Sequence, residues 1–143
     1  YKTSNLDIMA PVFERLAREN WVTFFHSGYF PTCQPALFAP LAQAFPSVPI
    51  ILAHIGYRHW EDAAILARLF PNIYLETAGN STPATINGSI RMAGADRVLF
   101  GTDSPYHEAR YCIDKVRLLP DLTDEERDLV MGGNMARLLG MSN

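Results

Sequence analysis

Short apolar segments recur along this chain at a nearly constant spacing, and each is followed by a segment with helical periodicity. The apolar segments predict strands at 21–25, 48–53, 72–77 and 97–101. The periodic segments predict helices at 8–18, 35–45, 61–70 and 85–92. Two more helices close the chain, one beginning at a capping box of Thr123 and Glu126 and one over 135–139. This alternation predicts an α/β fold, with a parallel sheet covered by helices.

The spacing of the strands indicates which α/β architecture to expect. The strand ends are about 23 to 28 residues apart, close to the roughly 31 residues that one unit of a (β/α)8 barrel uses. Four such units need about 125 residues, and the chain has 143. We therefore predict one domain, residues 1–143, that is TIM-barrel-like and has four βα units and C-terminal helices. A small, open, doubly wound sheet is the alternative. The chain begins at Tyr1, without an initiator Met, so we expect a fragment of a longer protein.

Composition excludes several classes of function. A formal net charge of −3 argues against a nucleic-acid binder, which normally carries a basic face. The longest apolar run is far shorter than the ~18–20 residues that span a bilayer, and no signal peptide is recognisable. Two cysteines, Cys33 and Cys112, are too few for a disulfide framework and favour a reducing compartment, so we expect a cytoplasmic protein.

Side chains able to bind a metal or move a proton stand at three of the four strand ends. They are His26, His54 and Asp103. The carboxyl ends of parallel strands meet at one edge, so we expect these groups to converge there. Two imidazoles and a carboxylate are a ligand set for catalytic zinc or a related divalent ion. Each residue alone has a structural explanation, such as a hydrogen-bonded histidine or a turn at Asp103; their repetition at equivalent places favours a site.

Other residues near the strand ends are candidates for binding substrate. Arg58 and Tyr57 follow the second histidine, and His107 follows Asp103 by four residues. Arg58 could bind an anionic substrate, although an exposed loop would have the same sequence. Glu76, one residue before the end of the third strand, is interpreted as structural or as support for the site.

Four motifs, in this order, resemble the amidohydrolase-related family of metal-dependent hydrolases and decarboxylases. They are Phe25-His26-Ser27-Gly28, Ala53-His54-Ile55-Gly56, the segment 100–105 and the segment 133–139. The resemblance covers residues 12–141 and implies the second half of the family's barrel, strands five to eight. The His-x-His pair of the family's first strand does not occur in this chain.

The resemblance also implies roles for the strand-end residues. His26 corresponds to the metal ligand of the fifth strand. His54 corresponds to the sixth-strand histidine, which orients or deprotonates a metal-bound water. Asp103 corresponds to the eighth-strand aspartate, which binds the metal and exchanges a proton with that water. A divalent ion lowers the pKa of bound water toward 7, which suits hydrolysis at neutral pH.

We therefore expect a metal-dependent hydrolase acting on a small carboxylated metabolite, with zinc as the first expectation for the metal and manganese as the second. A non-oxidative decarboxylase of the same family is the first alternative. A second is a half-barrel with no activity of its own, completed by a missing N-terminal half or by homo-oligomers that cover its two free strand edges. A non-haem iron(II) oxygenase could use the same ligands, but nothing else in the sequence favours it.

Overall fold

A four-stranded parallel sheet forms the centre of the protein. The computed structural model describes residues 4–79 and 81–141. The strands are β1 Thr23–Phe25, β2 Ile50–Leu52, β3 Ile73–Glu76 and β4 Val98–Leu99. They lie in the order β1-β2-β3-β4, and every neighbouring pair is parallel. Strand order therefore follows chain order with no reversal, as in a barrel, whereas a doubly wound sheet reverses its order at a switch point. The predicted α/β fold of four βα units is confirmed.

One helix precedes the first strand, and the others connect the strands or follow the last one. They are α1 Leu6–Glu19, α2 Ala39–Ala44, α3 Trp60–Leu69, α4 Pro83–Ala93, α5 Ala109–Arg117, α6 Asp124–Asp128 and α7 Asn134–Leu138. Local signals set several of their ends. Asn20 ends α1 in a left-handed conformation, and Thr123 and Glu126 form the capping box that begins α6. None of the helices within 4–79 and 81–141 is long and apolar enough to cross a membrane.

The two faces of the sheet are packed differently. Alternate strand residues point to opposite faces, and Ile50, Leu52, Ile73 and Leu75 join the helices in a core from which water is excluded. The opposite face, which would be the inside of a barrel, carries a smaller apolar layer of Ile51, Tyr74 and Leu99, and α7 packs against this layer. Phe24 of β1 pairs with Ile51 but is 56% exposed. The inner face is therefore only partly covered by the described residues.

Three sequence interpretations of local structure were wrong. The first strand begins at Thr23 rather than residue 21. The predicted helix over 35–45 is a 3₁₀ turn over 35–38 followed by α2. The last helix, predicted over 135–139, begins at Asn134, whose buried amide donates to the carbonyls of Ala95 and Val98 at 2.7 and 2.8 Å. A buried amide with two fixed acceptors thus ties the C-terminal helix to the start of β4.

Candidate active site

The ends of β1 and β2 bring two histidines together. Phe25 pairs with Leu52, so the residues that follow these strands emerge side by side at one edge of the sheet. The ring centroids of His26 and His54 are 4.9 Å apart, with the rings nearly perpendicular. The Tyr57 ring lies 4.8 Å from His54 and 6.0 Å from His26. The expectation that the two imidazoles meet at the carboxyl ends of their strands agrees with this geometry.

The backbone after β2 turns sharply to place His54. His54, Ile55, Gly56 and Tyr57 all have positive φ, between 50° and 73°. Such a run is strained in residues other than glycine and persists only where the surroundings hold it. One support is Ser27, whose hydroxyl donates to the carbonyl of Ala53 at 2.7 Å. The turn around the second histidine is thus held by the loop that carries the first.

A close backbone contact also joins the two histidine loops. Gly28 has a φ of +81°, and a Cβ there would overlap the carbonyl of Gly56. The glycines that follow the histidines in the sequence therefore allow the two loops to touch.

Glu76, the last residue of β3, is a buried carboxylate at the base of this site. It is 4% exposed, and its two oxygens accept from the backbone N–H of His54 at 3.2 Å and of Ala78 at 2.8 Å. Burial raises the pKa of Glu76, while these two hydrogen bonds and the Lys115 charge oppose the shift. The carboxylate fills the space beside Gly101, where a Cβ would collide with it. The sequence interpretation of Glu76 as a supporting residue agrees with these contacts.

The environment of His54 favours a neutral imidazole. Burial lowers the pKa of His54 below 6.5, and the charges of His26 and His107 act in the same direction. The Ala78 carbonyl and the Asp103 charge oppose this shift. Nδ1 of His54 is buried and makes no hydrogen bond within the described residues. A neutral imidazole can accept a proton or bind a positive centre through its unprotonated nitrogen.

A cavity of about 930 Å³ opens beside the histidines. The residues that line it include Tyr29, Phe30, His54, Tyr57, Arg58 and Trp60. Aromatic faces and one guanidinium suit a flat, anionic molecule, since the rings supply apolar contact and Arg58 can bind a carboxylate. Burial and the nearby Asp103 charge raise the pKa of Tyr57, so its hydroxyl stays protonated at neutral pH.

Asp103 and His107 lie close enough to influence this site electrostatically. The charge of each acts on His54, and that of Asp103 also acts on Tyr57 and Glu76. Asp103 has a positive φ of 59°, another constrained backbone position near the site. Within residues 4–79 and 81–141, however, no three His, Cys, Asp or Glu side chains are grouped so that they could hold one ion. The roles of His26, His54 and Asp103 in metal binding and catalysis stay predictions.

Sequence reasoning did not find Lys115, a charged residue of α5 that reaches the wall of the site. It is 4% exposed, and its Nζ donates to the backbone carbonyls of Thr77 and Gly79 at 3.5 and 3.2 Å. No sequence motif contains Lys115, and no helix was predicted over 109–117. A lysine spaced with the apolar residues Cys112 and Val116 on one helix face was the available signal.

Comparisons with known proteins agree with this architecture. A curated gamma-resorcylate decarboxylase from Polaromonas sp. is 26% identical over 122 residues, covering 71% of this chain and 37% of that protein. An uncharacterised TIM-barrel protein from Bordetella bronchiseptica superposes with a TM-score of 0.79 at 20% identity, covering 93% of this chain and 50% of that one. The chain therefore spans about half the length, or less, of these two proteins.

Two further solved structures contain metal ions. A dihydroxybenzoic acid decarboxylase from Polaromonas sp., solved with manganese and the inhibitor 2-nitroresorcinol, has a TM-score of 0.70 at 21% identity, covering 93% of this chain and 54% of that one. An amidohydrolase from Burkholderia multivorans, solved with zinc, has a TM-score of 0.75 at 15% identity, covering 93% of this chain and 57% of that one.

The sequence pattern of one protein family runs through nearly the whole chain. The pattern described as amidohydrolase matches residues 3–141. It includes all four strands, both histidine loops and the C-terminal helices. This match agrees with the resemblance seen in the four sequence motifs, and the chain therefore belongs to the amidohydrolase family.

Proposed function

We propose that this chain carries part of the active site of a metal-dependent, non-oxidative decarboxylase that acts on small aromatic carboxylates. The observation that carries the proposal is the pairing of His26 and His54, 4.9 Å apart, beside a cavity lined by aromatic rings and Arg58. Hydrolysis was the first expectation from the sequence. The decarboxylase alternative has better support, because the named relative and one metal-containing structure are decarboxylases of dihydroxybenzoates.

The donor chemistry of the site fits a divalent metal ion. His26 supplies an imidazole and Asp103 a carboxylate, and both ligand types suit zinc and manganese. The described residues supply too few grouped donors to hold an ion alone. We therefore propose that His26 and Asp103 contribute two ligands and that residues outside the described part of the chain contribute the others. When bound, the ion would supply positive charge that polarises the oxygen atoms of the substrate.

The chain's own residues would bind the substrate and move a proton. Arg58 and Tyr57 line the cavity, where a guanidinium and a protonated phenol can hold the carboxylate and ring oxygens. His107 is proposed to contribute at the rim. Asp103, as a carboxylate, would take a proton from a water molecule and deliver it to the ring carbon that bears the substrate's carboxylate. The carbon–carbon bond then breaks, CO₂ leaves, the bonding electrons restore the ring, the hydroxide left from the water is released, and Asp103 is again a carboxylate.

His54 would act as a neutral hydrogen-bonding partner of the substrate. Burial keeps the pKa of its ring below 6.5, so the ring is uncharged at neutral pH. A neutral imidazole at this place can orient a substrate oxygen and accept a proton from it.

A further segment of polypeptide is proposed to complete the barrel. Within the described residues, β1 and β4 each pair on one side only, and Phe24 leaves an apolar part of the inner face exposed. An N-terminal half-barrel or a second copy of this chain could pair with the free edges of β1 and β4. Light scattering distinguishes these alternatives. If a second copy pairs with the edges, the isolated chain forms a dimer or a larger species. If an N-terminal half-barrel is required, the isolated chain stays monomeric. The free cysteines, Cys33 and Cys112, suit a reducing compartment such as the cytoplasm.

A product assay with three outcomes tests the function. The protein is incubated with 2,6-dihydroxybenzoate and Mn²⁺ or Zn²⁺, and CO₂ release is measured beside the hydrolysis of lactone and ester substrates. We expect CO₂ release once the segment that completes the barrel is supplied, and we expect Asp103→Asn to abolish it and Tyr106→Phe, at a side chain 84% exposed, to preserve it. Hydrolysis without CO₂ would overturn the proposal in favour of the hydrolase. Inactivity of the isolated chain in both assays would show that the half-barrel needs its partner segment.

A further inference from the structure

Two buried charged side chains lie on opposite sides of the segment that follows β3. Glu76 and Lys115 are each 4% exposed, which is rare for charged residues unless they are paired or fully hydrogen-bonded. Glu76 ends β3 and Lys115 belongs to α5, 39 positions later in the chain. The two residues attract each other, since each charge favours the ionised form of the other. Hydrogen bonds within the protein must therefore replace the water that both charged groups lose on burial.

Both side chains bind the backbone of the same three-residue segment, 77–79. Glu76 accepts from the N–H of Ala78 at 2.8 Å. Lys115 donates to the carbonyls of Thr77 and Gly79 at 3.5 and 3.2 Å. Glu76 therefore holds an N–H of the segment and Lys115 holds two of its carbonyls, in addition to the bond from the Thr77 N–H to the Leu99 carbonyl at 3.0 Å that continues the pairing of β3 with β4.

The segment 77–79 forms a wall against the His54 ring. A Cβ on Gly79 would lie 2.7 Å from Nδ1 of His54 and 3.4 Å from the hydroxyl oxygen of Tyr57. Gly79 has a φ of +70°, so the backbone can approach the ring at this point only because a glycine stands here. A shift of the segment by even one ångström would change the space available to the imidazole.

Glu76 also holds the other side of the histidine, its backbone. Its second oxygen accepts from the His54 N–H at 3.2 Å, at the first residue of the left-handed run. A charge-assisted bond at this residue opposes the tendency of a strained backbone to relax toward ordinary φ values.

We infer that Glu76 is a positioning residue for His54, and that Lys115 anchors the other side of the same wall. The inference rests on the proposed function insofar as His54 takes part in the reaction. The Glu76 carboxylate binds both the backbone N–H of His54 and the N–H of Ala78, so it fixes the position of segment 77–79 relative to the His54 backbone. Neither Glu76 nor Lys115 is among the residues that line the cavity beside the histidines.

The test compares Glu76→Gln with Asn134→Ala, a control at the opposite end of the sheet. The Gln side chain has nearly the same size but keeps only one acceptor oxygen, so one of the two N–H groups loses its partner. Asn134→Ala also removes two buried hydrogen bonds, far from the histidines. The His54 ring resonances and the hydrogen exchange of individual amides are recorded by NMR on metal-free protein, which needs no substrate.

We expect Glu76→Gln to speed exchange of the His54 or Ala78 amide about tenfold or more relative to Ile51 and to shift the His54 ring signals. Asn134→Ala should leave both the exchange rates of the His54 and Ala78 amides and the His54 ring signals unchanged. If CO₂ release is detectable, Glu76→Gln should lower kcat at least about tenfold and change KM less than about threefold, because the residues that line the cavity are intact. Loss of activity without movement of the ring signals would overturn the inference.

A second variant keeps the inference testable if Glu76→Gln does not fold. Lys115→Met retains the length of the side chain but removes the ammonium, so it frees the carbonyl side of the segment. It should shift the same His54 ring signals without speeding exchange at Ile51. Unchanged ring signals in a folded Lys115→Met would also overturn the inference. Absence of CO₂ release in the wild-type protein supplied with its partner segment would refute the proposed function alone, because the NMR readouts do not depend on turnover.

Discussion

Asn72 is the buried residue whose replacement gives the clearest test of how the sheet is assembled. It precedes β3 and is 5% exposed. Its side-chain amide nitrogen donates to three backbone carbonyls, those of Ala42 at 3.2 Å, Phe45 at 3.0 Å and Val48 at 3.1 Å. The amide therefore ties the end of α2 and the turn before β2 to the start of β3.

The loss of stability expected for Asn72→Ala depends on which of the three carbonyls keep another hydrogen-bond donor. The Ala42 carbonyl would be bonded in a longer helix by residue 46, but Pro46 has no N–H. The Phe45 carbonyl keeps a bond from the N–H of Val48 at 3.0 Å. Asn72→Ala thus leaves two buried carbonyls without this donor, at roughly 1–3 kcal/mol each, and we expect a loss of about 3 kcal/mol.

Asn72→Asp should destabilise the protein more than Asn72→Ala does. It places a carboxylate oxygen against three carbonyl oxygens, where each contact is repulsive and water cannot screen the charge.

Thermal and urea unfolding followed by circular dichroism measure these losses. For a chain of 143 residues, 3 kcal/mol corresponds to a fall in Tm of roughly 10 °C. The His54 ring signals should stay unchanged, because Asn72 lies at the opposite end of β3 from the candidate site. A loss below about 1 kcal/mol in Asn72→Ala, or an Asn72→Asp protein as stable as the wild type, would refute this account of the three carbonyls.

Three further predictions concern the glycine contact, a buried histidine and an arginine of α6. Gly28→Ala should lower the free energy of unfolding by at least about 2 kcal/mol, because φ is +81° and a Cβ would overlap Gly56. The control, Gly140→Ala, has a φ of +64° in open space and should lower it by about 1 kcal/mol. Equal losses in the two variants would contradict the role of the contact with Gly56. Because burial lowers the pKa of His54, the unfolded state of the metal-free protein binds more protons, and the free energy of unfolding should fall as pH drops from 6.5 toward the folded-state pKa. His54→Gln should flatten that part of the stability curve, and an unchanged slope would assign it to other groups. Arg127 donates to four carbonyls at the end of α5 and beyond; Arg127→Met should cost about 2–3 kcal/mol, and full recovery in Arg127→Lys would exclude the guanidinium geometry as the cause.

The elements that sequence reasoning predicted are those whose signals are local. The strand over 50–52 lies within an aliphatic run, and the end of α1 at Asn20 and the start of α6 at Thr123 depend on residues a few positions away. Strand order also followed from repetition, because evenly spaced βα units favour neighbours in chain order. Signals of this kind survive folding because tertiary contacts reinforce them.

The helix α5 was missed because its buried face is short and partly charged. Of its nine residues, only Cys112, Lys115 and Val116 are buried. A lysine counts as a surface residue in a periodicity argument, so the apolar stripe is too weak to be recognised. Only the carbonyls of Thr77 and Gly79, which lie 36 to 38 positions earlier, explain why this lysine can be buried.

The candidate site was predictable in its position but not in its support. Strand ends in a parallel sheet share an edge, so His26 and His54 were expected to be neighbours, and their rings are 4.9 Å apart. Only one of the four residues in the left-handed run at 54–57 is a glycine, so the sequence gives little indication of this conformation. Glu76 accepts from the His54 N–H although the two residues are 22 positions apart in the chain. Long-range hydrogen bonds and strained backbone have no signature in a single sequence.

The packing of Glu76 against Gly101 links two strands in a way that variation among relatives should record. The carboxylate occupies the volume that any side chain at position 101 would need. A relative with alanine or serine there has to place a shorter or differently directed residue at position 76, and it then loses the acceptor for the N–H of His54. Positions 76 and 101 should therefore change together, as a pair, during divergence.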